Sequence, residues 1–372
     1  MNDTMQTMLR EATRLTQSGR LNEATEAIQR ALSGTPSATP AEVHNSTDSR
    51  SSHVIDGVVI KRSVEADERP DQPNTSNTAD FNRGNARVDA FIDGSHTHAG
   101  LTRRYKLFVP ADHAGQALPL VMMLHGCTQN PDDFAAGTRM NDLAREQRFF
   151  VLYPEQAQDS NPQRCWNWFN RSHQQRGSGE PALLASMTST VMAEYAIDAR
   201  RVYVAGLSAG GAMAAVMGSA YPELFAAVGV HSGLPTGAAT NVADALAVMK
   251  SGTPRVASAR APRSTSALPT IVFHGTKDQV VHPKNGEQII NRLLAESAEN
   301  GTLEQGISAS GQRYQRAVHR DASGVVIAEH WQLAEAGHAW SGGSQAGSYT
   351  DPRGPDASAE MLRFFLQHPR VG

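Results

Sequence analysis

The sequence predicts an α/β protein with a mostly parallel sheet and helices on both faces. Three observations carry that prediction. Short runs that are apolar throughout, such as Leu118–Leu124 and Phe149–Tyr153, suit strands buried on both sides. These runs alternate with stretches of helical periodicity. The third is Val202-Tyr-Val-Ala-Gly-Leu-Ser-Ala-Gly-Gly211, where an apolar strand breaks into a glycine-flanked serine and continues as an Ala- and Met-rich helix. Ser208 stands at the apex of that turn, and glycine at 206 and 210 keeps Cβ atoms out of it.

Taken in order, residues 1–33 read as a helical hairpin. Met5, Met8, Leu9, Ala12 and Leu15 recur at helical spacing, Ser18-Gly19 interrupts, and Ala24, Ala27, Ile28, Ala31 and Leu32 resume it. One such pair cannot bury its apolar face alone, so it is expected to dock on the main domain, on another chain, or on an apolar surface. Residues 34–86, rich in Ser, Thr, Pro, Asn and Asp, read as a flexible, disordered linker. Residues 87–372 form the expected main domain, an α/β unit.

Within that domain, strands are predicted at Val88–Ile92 and Leu101–Val109, then at Leu118–Leu124. One helix is predicted over Phe134–Gln147, followed by a strand at Phe149–Tyr153 and a helix opened by Pro181 that runs to Glu194. Further strands lead into Ser208 and lie at Ala226–Val230, Thr270–Phe273 and His330–Leu333. A helix starts near Asn285, and Ala357–Gln367 closes the chain.

Composition excludes several classes. With 34 basic and 37 acidic side chains and a formal charge of -3, nothing favours nucleic acid or an anionic membrane surface. No apolar run reaches the roughly 20 residues needed to span a bilayer. The N-terminus shows no basic, then apolar, leader pattern, which points to the cytoplasm or to a route without such a signal. Two cysteines, Cys127 and Cys165, are too few for a zinc site, and no metal is expected. They are either one bridge or two reduced thiols.

A serine hydroxyl needs an imidazole to accept its proton and a carboxylate to orient that imidazole. In such sheets these follow the chain order Ser, acid, His. Asp278 lies in the loop that leaves the strand Thr270–Phe273, 70 residues after Ser208. Its rivals, Asp351 and Asp356, come after the candidate base and would reverse the order. That base is His338 in Gly337-His-Ala-Trp340, while His125, His231 and His274 at strand ends could instead brace loops. For the two N–H donors of an oxyanion hole, the candidates are Ala209, directly after the serine, and Cys127 in Leu124-His-Gly-Cys127. Trp166 and Trp168 in Cys165-Trp-Asn-Trp-Phe169, with Trp340, either wall an apolar substrate cleft or merely cap the core. A Cys127–Cys165 bridge would tie this aromatic loop to the oxyanion loop. The chemistry requires no metal or organic cofactor.

Together these stretches resemble the polyhydroxybutyrate (PHB) depolymerase family of esterases. The resemblance rests on Leu118-Pro-Leu-Val-Met-Met-Leu-His-Gly-Cys-Thr-Gln129, Pro131-Asp-Asp-Phe-Ala-Ala-Gly-Thr138, Cys165-Trp-Asn-Trp-Phe169, Gly206-Leu-Ser-Ala-Gly210, His274-Gly-Thr-Lys-Asp278 and Gly337-His-Ala-Trp-Ser-Gly-Gly343. It covers roughly residues 87 to 370. It implies an α/β-hydrolase fold and a serine esterase with Ser208 as nucleophile, Asp278 as acid, His338 as base and the Cys127 N–H as oxyanion donor. The implied substrate is an ester or polyester of short-chain hydroxyalkanoates; feruloyl and acetylxylan esterases belong to the same family. Family members that degrade polymer are often secreted and carry a separate polymer-binding domain. The resemblance therefore implies an extracellular setting, whereas no such domain is visible after His338, so soluble oligomers, amorphous polymer or small esters are the expected substrates. A reading of a different class makes residues 1–33 a granule- or partner-binding device, with the hydrolase domain secondary.

Overall fold

The structure, a computed structural model, describes residues 88–370 except 112, 114, 253–267 and 295–300. The chain divides into two compact units, Met1–Thr78 and Ala79–Gly372. The first unit, and with it the expected hairpin at 1–33 and linker at 34–86, lies outside the described residues.

Ten strands form one sheet in the described part of the second unit. In chain order they are β1 (Ala90–His98), β2 (Leu101–Val109), β3 (Leu118–Leu124), β4 (Phe150–Pro154), β5 (Ile197–Leu207), β6 (Ala227–His231) and β7 (Thr270–Gly275). Then come β8 (Thr302–Ile307), β9 (Arg313–Arg320) and β10 (Val326–Leu333). The spatial order is β1-β2-β4-β3-β5-β6-β7-β10-β9-β8. From β4 through β10 neighbouring strands are parallel, and an antiparallel pair flanks each side. Every residue of β3, β4, β6 and β7 is buried, because helices cover both faces of the parallel centre. The two faces form separate apolar clusters. Leu120, Met122 and Val204 point into one, and Val121, Met123 and Ala205 into the other, as the two-residue repeat of a strand dictates.

The helices are α1 (Pro131–Thr138), α2 (Met140–Gln147), α3 (Gly179–Glu194), α4 (Ala209–Ala220), α5 (Val242–Ser251), α6 (Lys284–Leu294) and α7 (Ala357–Leu366). The single helix expected over Phe134–Gln147 is two. Arg139 adopts φ 56°, ψ 23°, and its N–H closes α1 on Ala135 O, so the axis breaks there. Asn130 caps the start of α1 by accepting the Asp133 N–H, and Pro131 fills the first helical position. The remaining predicted elements are present, Leu101–Val109 and Leu118–Leu124 with the expected ends and others with shifted ones. Helix α5 and the hairpin β8–β9 are additional to them, as is a small parallel pair, β11 (Trp340–Ser341) with β12 (Thr350–Asp351). Among the described residues no helix is long and apolar enough to cross a membrane.

The connections position the site. From β3 the chain moves to β4 on one side, then crosses back to β5 on the other. Such a reversal leaves a crevice beyond the carboxyl ends of β3 and β5, where open α/β sheets place their ligands.

Candidate active site

Ser208 links β5 to α4 with φ 57° and ψ −119°, a backbone conformation costly for a non-glycine residue. Close packing enforces it. A Cβ at Gly206 would lie 2.6 Å from Leu124 O, and one at Gly210 would lie 2.5 Å from His125 O and closer still to Leu124 O. Only glycine lets the turn press against the end of β3. The Ser208 N–H donates to His231 O (2.9 Å) and Ser208 O accepts the Ala212 N–H (2.9 Å), which ties the turn to β6 and to its own helix. Ala209 is the first residue of α4, so its N–H has no acceptor within the helix.

The loop after β3 lies directly against the serine. A Cβ added to Gly126 would sit 3.6 Å from Ser208 Cβ. The backbone groups around Cys127 are engaged. Gly126 N–H donates to Gln129 Oε1 (2.9 Å), and Thr128 N–H to Gln163 O (2.7 Å). Gly126 O accepts from His125 Nδ1 (2.8 Å), and Cys127 O from the Thr128 hydroxyl (2.6 Å). His125 Nε2 accepts the Gln156 N–H (3.1 Å), so the ring proton resides on Nδ1. Burial pushes His125 down to about 4 and keeps it neutral in that tautomer.

Cys127 is joined to Cys165 by a disulfide. The segment beyond Cys165 is braced by Glu180, a fully buried carboxylate in the first turn of α3. It accepts the Asn167 N–H (2.7 Å) and Asn167 Nδ2 (2.7 Å), together with Gln156 Nε2. Gln156 Nε2 also donates to Cys165 O (2.9 Å).

Asp278 and His338 meet at the carboxyl end of β7. His338 Nδ1–H donates to Asp278 Oδ2 (2.7 Å), which leaves the lone pair of the neutral ring on Nε2. Asp278 Oδ1 accepts the N–H groups of Val280 (2.9 Å) and Val281 (2.8 Å). Burial alone would raise the Asp278 pKa, but the neighbouring imidazoles of His274 and His338 outweigh it and hold the carboxyl well below the usual carboxylate range. The loops carrying the two residues are stitched together by Thr276 N–H to Leu333 O (2.9 Å) and Lys277 N–H to Ala336 O (2.9 Å). Ser208 Oγ and His338 share no hydrogen bond among the described residues, as is common before a ligand tightens such a site. Asp351 pairs with Arg353 and Asp356 caps α7, so the structure brings neither rival acid to His338.

The tryptophans require a correction. Trp166 and Trp340 are 0% and 1% exposed, and Trp168 is 5% exposed. Trp166 Nε1 donates to His125 O (3.1 Å) and Trp340 Nε1 to Ser358 Oγ (3.1 Å). They are core residues beneath the site, not the wall of an open cleft. The exposed apolar side chains nearby in the chain are Val280, two residues after Asp278, and Tyr349, between the short strands β11 and β12. The Tyr349 hydroxyl lies 3.0 Å from Thr128 Oγ1; because Thr128 donates to Cys127 O, Tyr349 is the donor.

Sequence reasoning missed Gln129, Glu180 and Tyr349, and treated His231 only as a possible brace. His231 Nε2 accepts the Ser341 N–H (3.0 Å), and its ring stacks on Trp340 at 5.1 Å. Burial, with His274 and His338 nearby, pushes it down to about 3.

The family model described as Esterase PHB depolymerase matches residues 103–317, from β2 into β9. Poly(3-hydroxyalkanoate) depolymerase C of Paucimonas lemoignei is 30% identical over 250 residues, 65% of this chain and 59% of that protein. Probable acetylxylan esterase A of Aspergillus fumigatus is 30% identical over 180 residues, 45% of this chain and 48% of that protein. The chain thus spans about half to three-fifths of the length of these two curated relatives. Among solved structures, an acetyl xylan esterase from Aspergillus awamori aligns with TM-score 0.54 at 18% identity. That alignment covers 71% of this chain and 94% of that one, and the likeness is one of fold. The matched segment contains Cys127, Ser208 and Asp278, and on an α/β-hydrolase fold the chain belongs to the PHB depolymerase family of esterases.

Proposed function

We propose that the chain is a serine carboxylic-ester hydrolase that cleaves short-chain hydroxyalkanoate esters, of the poly- or oligo-3-hydroxybutyrate type, through an acyl-enzyme. The observation that carries this reading is the 2.7 Å bond from His338 Nδ1 to Asp278, at the same sheet edge as the strained turn at Ser208. Ser208 Oγ attacks the ester carbonyl while His338 Nε2 takes its proton. Asp278 stabilises the imidazolium and keeps the ring in the reactive tautomer. The N–H groups of Cys127 and Ala209 receive the oxyanion. His338 then protonates the leaving alcohol, and a water activated by the same nitrogen releases the acid.

The hydroxyalkanoate preference is supported by the family model and by the depolymerase relative. A second reading, a feruloyl or acetylxylan esterase, is favoured by the acetylxylan esterase relatives. A panel of p-nitrophenyl butyrate, hydroxybutyrate oligomers, methyl ferulate and acetylated xylan separates the two. Ser208→Ala is expected to lose turnover of every panel member by at least about a thousandfold while folding normally. Retained turnover overturns the hydrolase reading, and preference for ferulate or xylan acetate overturns the substrate assignment.

A further inference from the structure

One buried imidazole at the site takes no part in the proton transfers above. His274, the penultimate residue of β7, is 1% exposed. Its Nε2 lies 2.8 Å from Val281 O and 3.3 Å from Asp278 Oδ2. A carbonyl can only accept, so Nε2 carries the proton and donates it to Val281 O, and the same N–H lies beside Asp278 Oδ2 as an electrostatic neighbour. The opposite nitrogen, Nδ1, is buried without a hydrogen-bond partner among the described residues. It faces the backbone of α6, where a Cβ at Gly286 would lie 2.8 Å from it. A leucine or phenylalanine would fill this volume without leaving a bare nitrogen in the core. The ring is placed there for the one N–H it presents.

The geometry points to His274 as a positioning residue for the hydrolysis proposed above, a second histidine on the acid that fixes the Asp278 carboxylate toward His338. The inference rests on that hydrolase reading. With His274 in place, Asp278 Oδ1 accepts the N–H groups of Val280 and Val281, and Oδ2 sits between the His338 Nδ1–H that it accepts and the His274 N–H 3.3 Å away. Rotation of the carboxylate about its Cβ–Cγ bond would break three hydrogen bonds at once and carry Oδ2 away from the His274 N–H. The N–H dipole also draws charge from Oδ2, which tempers how strongly Asp278 stabilises a protonated His338. Other titratable groups around the ring are His231 on β6 and His330 on β10, both held neutral by burial with pKa values pushed down to about 3. His319 faces His330 from β9, and Lys277 is paired with Glu335.

The test compares His274→Leu with His274→Gln, whose side-chain amide can set a donor where Nε2 now lies. Turnover of p-nitrophenyl butyrate is measured per active site, titrated with a phosphonate ester, across the acid limb of the pH profile. His274→Leu is expected to lower kcat about tenfold with KM unchanged, and to move the acid limb up by about half a pH unit. His274→Gln is expected to recover most of both changes. A His274→Leu variant that is less stable but has the wild-type kcat and acid limb makes the residue purely structural and overturns the proposal. So does a His274→Gln variant as impaired as His274→Leu. The low-field proton resonance of His338 Nδ1–H gives a readout that needs no turnover. If the wild-type chain is inert toward every ester but that resonance shifts in His274→Leu and returns in His274→Gln, the hydrolase reading fails while the positioning role stands.

Discussion

Adding one methyl group at Gly210 tests whether the serine turn and the loop after β3 form one rigid unit. A Cβ at this position would come to 2.5 Å from His125 O, and nearer to Leu124 O. Carbon–oxygen contacts settle near 3.3–3.6 Å, so those carbonyls must retreat by about 0.8 Å or more. They are backbone atoms of a fully buried strand end, and His125 O already receives the Trp166 indole N–H. Overpacking of this kind costs about 1–3 kcal/mol. Its effect on rate is greater, because the displaced backbone leads directly into the Gly126–Cys127 peptide. A shift approaching 1 Å in a catalytic group costs about a hundredfold. Gly210→Ala is therefore expected to lose about 10²-fold in kcat for p-nitrophenyl butyrate, with a much smaller change in KM. The paired control is Gly337→Ala, where a Cβ would meet nothing within 4 Å and stability should hold within about 0.5 kcal/mol. Steady-state kinetics and urea unfolding of both variants decide the matter. A Gly210→Ala protein with wild-type kcat would show that the turn and the loop are not mechanically coupled.

Other perturbations follow from the same geometry. Cys165→Ser opens a bridge between residues 38 apart and is expected to cost about 4 kcal/mol by loop-closure entropy, read from urea midpoints under non-reducing conditions; an unchanged midpoint refutes it. Glu329 is fully buried and accepts from Arg316, Arg363 and the Trp331 indole, so Glu329→Gln leaves the two partly exposed guanidinium groups only their outer partners, Glu304 and Glu360. Unfolding should show a loss of about 1–3 kcal/mol, and an unchanged midpoint would count against it. Stability should also fall with acid. His125, His231 and His330 stay neutral in the fold with pKa values pushed down to about 4, 3 and 3, against 6.5 in the unfolded chain. Their contribution is complete above pH 6.5. Below it the unfolded chain takes up protons that the fold refuses, so stability drops by as much as roughly 4 kcal/mol per pH unit near pH 5. Asp278, held below its ordinary pKa, adds a further loss below the usual carboxylate range. Equal denaturant midpoints at about pH 7.5 and about pH 5.5 would contradict this.

What the sequence made legible follows physical lines. Leu118–Leu124 is apolar throughout because both faces of the sheet are covered there, and a run so short and so uniformly apolar suits little besides a central strand. Ser208, Asp278 and His338 stand out because each leaves a predicted strand, and the structure brings Asp278 and His338 into hydrogen-bond contact. Thr302–Ile307 lacked that signal. Its residues are mostly exposed at the sheet edge, and it is defined by pairing with β9, not by burial. Arg139 splits a helix whose apolar periodicity runs on unbroken, because a single left-handed residue leaves no mark on that pattern. The tryptophans show the same limit in another form. An aromatic residue in a loop carries no sign of which way it faces; Glu180 and Gln156, which draw the Cys165–Phe169 segment inward, come from elsewhere in the chain. The partners of Gln129 and His274 are likewise visible only in three dimensions.

The loop between His125 and Gln129 has a consequence for how this family can diversify. Its amide groups on either side of the Cys127 N–H are already bound within the protein, so its shape is settled during folding and cannot adapt to the ester that arrives. Selection for a new substrate has little purchase there, since each change would release several bonds together. Val280 and Tyr349, exposed on neighbouring loops, carry no such burden beyond one hydroxyl contact and two backbone N–H groups. Substitutions at those two positions could alter which esters fit while the bond-breaking apparatus is inherited unchanged. That is one physical route by which relatives named for polyhydroxyalkanoate and for acetylxylan can share a single scaffold.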